Sequence, residues 1–172
     1  MKKYWSFIWQ INAWIKFSRL LYFRVPVLGK IMSYFLDRFV YFLYGIELMA
    51  FSINVKYLSI PHPNSVLLGG NGIKSSGRVV IMSGVKFGGK TPTDPTYLTR
   101  HKISEVFRIG DNVVIGSNVC LLGPLDICDN VIIGAMSLVN KSITEPGVYV
   151  GIPAIKVSDK TNEDWVQHLP KK

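Results

Sequence analysis

Residues 109–144 read IGDNVV IGSNVC LLGPLD ICDNVI IGAMSL VNKSIT when the chain is divided into blocks of six. The first residue of every block is a branched aliphatic, and the fifth is aliphatic in every block except IGAMSL, where it is Ser137. A short fixed period indicates one structural unit that is stacked on itself. The repeat in this stretch therefore determines the architecture of the domain.

The six-residue period predicts a parallel β-helix, in which each block is a short strand and a turn. Every sixth side chain then points into the same interior column. An α-helix would instead place apolar residues three and four positions apart. Gly110, Gly116 and Gly134 also argue against a helix, since glycine is unfavourable in a helix interior.

The bulk composition indicates one folded domain of 172 residues, with 48% hydrophobic residues and a net charge of +9. The two cysteines, Cys120 and Cys128, are too few for a disulfide scaffold, and their spacing does not match a metal motif. We expect them to be small buried residues.

The first 46 residues carry much of the positive charge, with seven basic residues against the single acidic residue Asp37. The segment 1–46 is also rich in aromatic residues, including Trp5, Trp9 and Trp14, and Pro26 and Gly29 divide it into two expected helices. Its longest charge-free run is 4–15, which is shorter than the roughly 20 residues that a membrane span needs.

Two interpretations of this segment remain open. The helices would pack on the β-helix or on a neighbouring subunit, or their aromatic face with its basic edges would lie in a membrane interface. Both roles are compatible with each other. Nucleic-acid binding is disfavoured because the segment is too apolar.

Short strands are expected over 47–157, where Ile73, Val79 and Val85 already keep the phase of the repeat. An irregular stretch, 88–107, interrupts the period. An extended loop on a repeat fold usually leaves one face and often contributes to binding. The tail, 158–172, is expected to be a short helix or disordered.

The repeats, followed by Gly151-Ile152-Pro153-Ala154, resemble the hexapeptide-repeat acyltransferases. The resemblance covers residues 44–157 and is greatest to the serine acetyltransferase branch and its bacterial relatives that acetylate capsular and exopolysaccharide sugars. It implies an all-β, left-handed parallel β-helix with three hexads per coil, a homotrimer, and acetyl-CoA as the acetyl donor. No metal is implied.

The motif Ile60-Pro61-His62-Pro63-Asn64 is similar to the motif that carries the catalytic base in this branch. A neutral imidazole is well matched to removing a proton from a hydroxyl near neutral pH. The family's orienting aspartate lies fifteen residues earlier, where this chain has Glu47. The resemblance thus implies catalytic roles for His62 and Glu47 and a substrate contact for Asn64.

Further site residues follow from the same resemblance. Gly88-Gly89 precedes an Arg100-His101 pair, as in serine acetyltransferases but with a longer insertion, and the pair is expected near the acceptor and the thioester. Coenzyme contacts are expected at positions spread over the repeat, namely Gly88, Gly89, Ser117, Ala135, Lys141 and Lys156.

The acceptor is expected to be a saccharide rather than serine. Serine acetyltransferases carry an acidic residue immediately before the catalytic histidine, and this chain has Pro61 there. A serine O-acetyltransferase of cysteine biosynthesis and a non-catalytic β-helix scaffold remain the alternatives. A zinc enzyme is disfavoured because His62, His101 and His168 are not at ligand spacing. We expect a cytoplasmic protein, either free or peripheral on the inner face of the cell membrane.

Overall fold

The structure is a computed structural model that describes residues 7–161 and 164–169. Trp5, together with the ends of the expected helical segment and tail, lies outside the described residues. Two helices, α1 (Phe7–Arg24) and α2 (Leu28–Tyr44), precede the strands. The strands are β1 (Ile46–Leu48), β2 (Ile53–Ser59), β3 (Val66–Gly69), β4 (Ile73–Ile81), β5 (Lys86–Gly89), β6 (Phe107–Ile109), β7 (Val113–Ile115), β8 (Cys120–Gly123), β9 (Leu125–Ile127), β10 (Val131–Ile133), β11 (Leu138–Val139), β12 (Gly147–Val150) and β13 (Ile155–Ser158).

The strands form the three faces of a parallel β-helix. Face A is the parallel sheet β1-β3-β5-β8-β11. Strands β2 and β4 bend around one corner, so that their first halves lie with β6 and β9 on face B and their second halves lie with β7, β10 and β12 on face C. The final strand, β13, pairs antiparallel with β12.

The six-residue period sets the length of a coil. Val113 pairs with Val131, Phe107 with Leu125 and Cys120 with Leu138. Each partner lies eighteen residues later, which is three hexads. The predicted repeating coil is therefore confirmed.

The interior columns are the aliphatic positions of the repeat. The first and fifth residues of the six blocks are all buried: Ile109, Val113, Ile115, Val119, Leu121, Leu125, Ile127, Val131, Ile133, Ser137, Val139 and Ile143. Ser137 is the polar exception, and its Oγ accepts a hydrogen bond from the Gly151 backbone N–H at 3.1 Å. A buried hydroxyl with a partner avoids the cost of an unsatisfied polar group.

The helices are tied to the first coil by hydrogen bonds. Asp37 is buried between them, where it accepts from the Ser18 hydroxyl at 2.8 Å and from the Ala50 backbone N–H at 3.0 Å. Burial raises the pKa of the Asp37 carboxyl, and the bonds from Ala50 and Ser18 oppose that rise. Asn12 donates to the Leu58 carbonyl oxygen at 2.6 Å. The hairpin thus covers the N-terminal end of the β-helix.

The structure differs from the predictions for the irregular stretch 88–107 and for the C-terminal tail. A helix, α3 (Pro95–Lys102), occupies the loop between β5 and β6. Residues 164–169 form turns rather than a helix, and Val166 and Leu169 pack on Val80 and Val114 outside face C. The expectation that Cys120 and Cys128 are buried was wrong, because both free thiols are half-buried.

We expect Asp111→Asn to lower the free energy of unfolding at pH 7 by about 2 kcal/mol. Hydrogen bonds from the buried Arg78 guanidinium at 2.8 and 3.1 Å lower the pKa of the Asp111 carboxyl from 3.8 to about 2. A carboxyl whose pKa is lower in the folded than in the unfolded state stabilises the folded protein, and the whole contribution is present at pH values above the unfolded-state pKa. That contribution is lost as the pH falls from about 4 towards 2.

Urea unfolding at several acidic pH values would measure this dependence, which Asp111→Asn should reduce. The matched control is Asp159→Asn, since Asp159 also pairs with a cation, Lys156 at 2.7 Å, but its side chain is 90% exposed. Exposed ion pairs contribute little, so the control should lose less than about 1 kcal/mol. Equal losses in the two variants would contradict the assignment.

Candidate active site

The edge between faces C and A carries His62 in a column of stacked turns. The Gly84 N–H donates to the Asn64 carbonyl oxygen at 2.9 Å, which places the turn of the second coil under the His62 motif. Asn118 donates to Ser83, and Met136 donates to Ser117, each at 2.9 Å through the backbone. This C–A edge therefore carries four of the predicted residues, with His62 and Asn64 in the first coil and Ser117 and Ala135 two and three coils further along.

The imidazole of His62 is exposed and, within the described residues, forms no hydrogen bond. Glu47 lies in the middle of β1 with its side chain exposed outside face A, in register with Leu67. The described structure contains no hydrogen bond between Glu47 and His62. The orienting role of Glu47 therefore stays a prediction.

The opposite edge of face A, between faces A and B, carries Gly88, Gly89 and the loop helix α3. Gly88 and Gly89 pair with Leu122 and Gly123. The Asp94 carboxylate caps α3 by accepting from the N–H groups of Thr96 at 2.8 Å and Tyr97 at 3.0 Å. A local N-cap thus fixes the start of a helix within the stretch 88–107, where the broken period predicts a loop.

Tyr97 anchors α3 on this A–B edge. Its hydroxyl donates to Asn71 Oδ1 at 2.7 Å, and its ring leaves no room for a side chain at Gly89, where a Cβ would lie 2.7 Å from Tyr97. The His101 ring stacks on Tyr97 with centroids 5.7 Å apart. Close packing thus explains the glycine at position 89 without a coenzyme contact.

Arg100 and Lys141 also lie at the A–B edge. Arg100 Nη2 donates to Asp126 Oδ2 at 2.6 Å, so its charge has an acidic partner, while Lys141 is exposed in the turn after β11. Strands of face A contain at most four residues, which corresponds to about 13 Å. The Arg100-His101 pair and His62 are therefore on opposite edges of face A within one chain and are not brought together.

Lys156 stands apart from both edges, on β13. Its ammonium lies 2.7 Å from an Asp159 carboxylate oxygen and 3.2 Å from Glu145. These two partners raise the pKa of Lys156, with the Asp159 hydrogen bond as the largest cause. A coenzyme phosphate would have to compete with both carboxylates for this ammonium.

Sequence reasoning missed an open groove of about 660 Å³ on face B. Glu105 accepts from Lys74 and, at 3.1 Å, from Arg108, and these contacts, the Lys74 hydrogen bond first, lower the pKa of Glu105. Strand alternation does place Lys74 and Arg108 outside the coil, but their pairing with Glu105 depends on the path of the loop. No sequence periodicity reports that path.

Within the described residues, no group of three His, Cys, Asp or Glu side chains is placed to hold a metal ion. None of the helices in the described part of the chain is both long and apolar enough to cross a bilayer.

The fold and the stacked edges define a class: a parallel β-helix built from hexapeptide repeats and preceded by a helical hairpin. Residues 108–141 match the family described as bacterial transferase hexapeptide (six repeats). The resemblance to hexapeptide-repeat acyltransferases is thereby confirmed, and the capsular branch is not distinguished.

Among solved structures, the chain is similar to the serine acetyltransferase of Neisseria gonorrhoeae, with 25% identity and a TM-score of 0.72 over 87% of this chain and 54% of that one. It is also similar to the Brucella abortus serine acetyltransferase in complex with coenzyme A, with 19% identity and a TM-score of 0.74 over 92% and 58% of the two chains. At 19% identity, the similarity to the Brucella abortus protein shows a shared fold and nothing further.

Among curated proteins, the UDP-3-O-acylglucosamine N-acyltransferase of Coxiella burnetii is 33% identical over 123 residues, which cover 54% of this chain and 35% of that protein. The bifunctional protein GlmU of Streptococcus uberis is 37% identical over 94 residues, which cover 55% and 19%. The chain thus spans about a third or less of the length of these curated relatives and little more than half of the length of the two solved structures.

Proposed function

We propose that this protein is an acetyl-CoA-dependent O-acetyltransferase that modifies a saccharide hydroxyl in capsule or exopolysaccharide synthesis. The observation that carries the proposal is the exposed imidazole of His62 at the head of the C–A edge, above Ser117 and Ala135. The likeness to acyltransferases that act on serine and on an acylglucosamine supports acyl transfer as the chemistry.

The reaction would be a direct transfer. His62 takes the proton of the acceptor hydroxyl as its oxygen attacks the thioester carbonyl, and a tetrahedral intermediate forms. The C–S bond then breaks, and the coenzyme thiolate takes the proton from the imidazolium. A carboxylate near the ring, which we assign to Glu47, would stabilise the imidazolium. No covalent enzyme intermediate is needed.

A left-handed coil and a homotrimer complete the proposal. His62 and the Arg100-His101 pair lie on opposite edges of face A, so one chain does not unite them. Packing the C–A edge of one protomer against the A–B edge of the next would form a groove that contains both. Acetyl-CoA would lie in this groove, with Ser117, Ala135, Gly88 and Gly89 along its walls and Lys141 near a phosphate. Lys156 would contact a phosphate only where the coenzyme extends beyond the two edges.

A cytoplasmic location fits a donor that is a coenzyme A thioester. A peripheral position on the inner face of the cell membrane would fit an acceptor that is carried on a lipid. A non-catalytic scaffold would show no coenzyme A binding by calorimetry.

The deciding experiment measures acetyl-CoA consumption with serine and with a panel of sugars, nucleotide sugars and polysaccharides. We expect turnover with at least one saccharide and none with serine, because Pro61 offers no charge to hold the ammonium group of serine. Turnover with serine alone would favour the serine acetyltransferase alternative. Coenzyme A binding without turnover on any acceptor would contradict the proposed acceptor class.

A further inference from the structure

Helix α2 has its apolar side outward. The side that faces the rest of the protein presents small or polar residues, Gly29, Ser33 and Asp37, together with Val40. The opposite side is a stripe of large apolar residues that are each 43–83% exposed: Leu28, Ile31, Met32, Phe35, Phe39 and Phe42. A surface helix of a globular protein normally has the reverse arrangement.

Helix α1 extends this surface. Phe17, Leu20 and Phe23 are exposed on it. A groove of about 550 Å³ between the two helices is lined by apolar residues of both, including Trp14, Phe17 and Leu43. We call the stripe of α2 together with Phe17, Leu20 and Phe23 the hairpin face. A concentration of exposed large apolar residues on one segment marks an interaction site.

The charges around the hairpin face are positive. Lys16, Arg24 and Lys30 are exposed on the hairpin, whereas Asp37, the one acidic residue of the two described helices, is buried. A second copy seated on this face would bring like charges together without an acidic partner from either hairpin. An anionic lipid surface supplies both the apolar layer and the negative charge.

We propose that the α1–α2 hairpin docks this protein on an anionic lipid bilayer, with both helices lying in the plane of the interface. Phe35, Phe39 and Phe42 enter the boundary between headgroups and acyl chains, and the flanking cations stay at headgroup level. The Lys30 ammonium already lies over the Tyr22 ring, 5.6 Å from its centroid, so a cation–π contact holds this charge against the hairpin.

Docking would also orient the candidate active site. The hairpin is bound to the first coil through the Asn12–Leu58 and Asp37–Ala50 hydrogen bonds, and that coil carries Glu47 and His62. The first coil would therefore lie nearest the bilayer, within reach of a saccharide held at the membrane. This consequence rests on the proposed function, whereas the docking itself does not.

The test is co-sedimentation of the full chain with vesicles of phosphatidylcholine and phosphatidylglycerol in equal parts, and with phosphatidylcholine alone. We expect binding to the anionic vesicles that weakens as salt is raised. The variant Phe35→Ser, Phe39→Ser, Phe42→Ser should lower the partition coefficient at least about 100-fold, from the apolar area that it removes. Lys16→Ser, Arg24→Ser, Lys30→Ser should lower it by about 5-fold per charge.

The matched control replaces three exposed apolar residues elsewhere, Ile103→Ser, Ile155→Ser and Val157→Ser, and should bind like the parent protein. Circular dichroism and thermal unfolding check that each variant is folded. Failure of the parent to bind anionic vesicles would overturn the proposal. Unchanged vesicle binding of the phenylalanine variant would also overturn it. If that variant also had a lower mass than the parent by sedimentation velocity, the hairpin face would be covered by a second copy instead.

Discussion

The variant His62→Ala should lose at least about 100-fold in kcat while keeping its fold and its affinity for coenzyme A. A positioned general base contributes about 10² to 10⁴ in rate, and an alanine cannot accept the acceptor's proton. Because the imidazole is exposed and forms no hydrogen bond in the described structure, its removal opens no cavity. Steady-state kinetics on the best acceptor and calorimetry with coenzyme A would measure both effects.

His168→Ala is the matched control for this prediction. His168 lies in the C-terminal segment, where a ring nitrogen is 2.9 Å from Ser59 Oγ at the end of β2. Its segment packs outside face C and is not one of the turns that form either edge of face A, so its loss should leave kcat within about 2-fold. Near-parent turnover in His62→Ala, or an equal loss in both variants, would refute the assignment of the base.

The core could be predicted from the sequence because it depends on one physical requirement that repeats. Each hexad must place its first and fifth side chains inside the coil, and Ile109, Leu121 and Val139 illustrate columns that are buried as the period indicates. Even the exception, Ser137, keeps its interior position, since a single backbone hydrogen bond satisfies its hydroxyl.

The candidate site was only partly accessible from sequence. The period assigns a residue to a strand or a turn, and the spacing of Ser117 and Ala135 from one another, eighteen residues, places them in one stacked edge. The insertion 88–107 breaks this count. The positions of Arg100 and His101 depend on Tyr97 packing against Gly89 and on the ion pair of Arg100 with Asp126, and the six-residue period encodes neither contact.

The N-terminal segment shows a different limit. Its aromatic and basic composition predicted helices with an apolar face, but composition does not say which side of a helix the fold covers. The hydrogen bonds of Asp37 to Ser18 and Ala50 decide this for α2, because they turn its small polar side inward and leave Phe35 and Phe42 outside.

We expect Phe107→Ala to lower the free energy of unfolding by about 3–5 kcal/mol. Phe107 is fully buried and meets Phe87 edge to face, with centroids 4.9 Å apart and the planes at 82°. It pairs with Ile73 in the preceding coil and with Leu125 in the following one. Truncation would leave a cavity that the rigid stacked coils cannot close, at the point where the loop carrying α3 rejoins the β-helix.

Phe42→Ala is the control for this substitution, since Phe42 is 83% exposed on α2 and its loss should change stability by no more than about 0.5 kcal/mol in the absence of lipid. Urea unfolding followed by circular dichroism gives both values. Phe107→Ala should also weaken the support of α3, because the Tyr97–Gly89 contact lies on the same A–B edge. Faster proteolytic cleavage within residues 90–106 would report that loosening. A urea midpoint of Phe107→Ala equal to that of Phe42→Ala would instead contradict the prediction and show that the coils repack around the cavity.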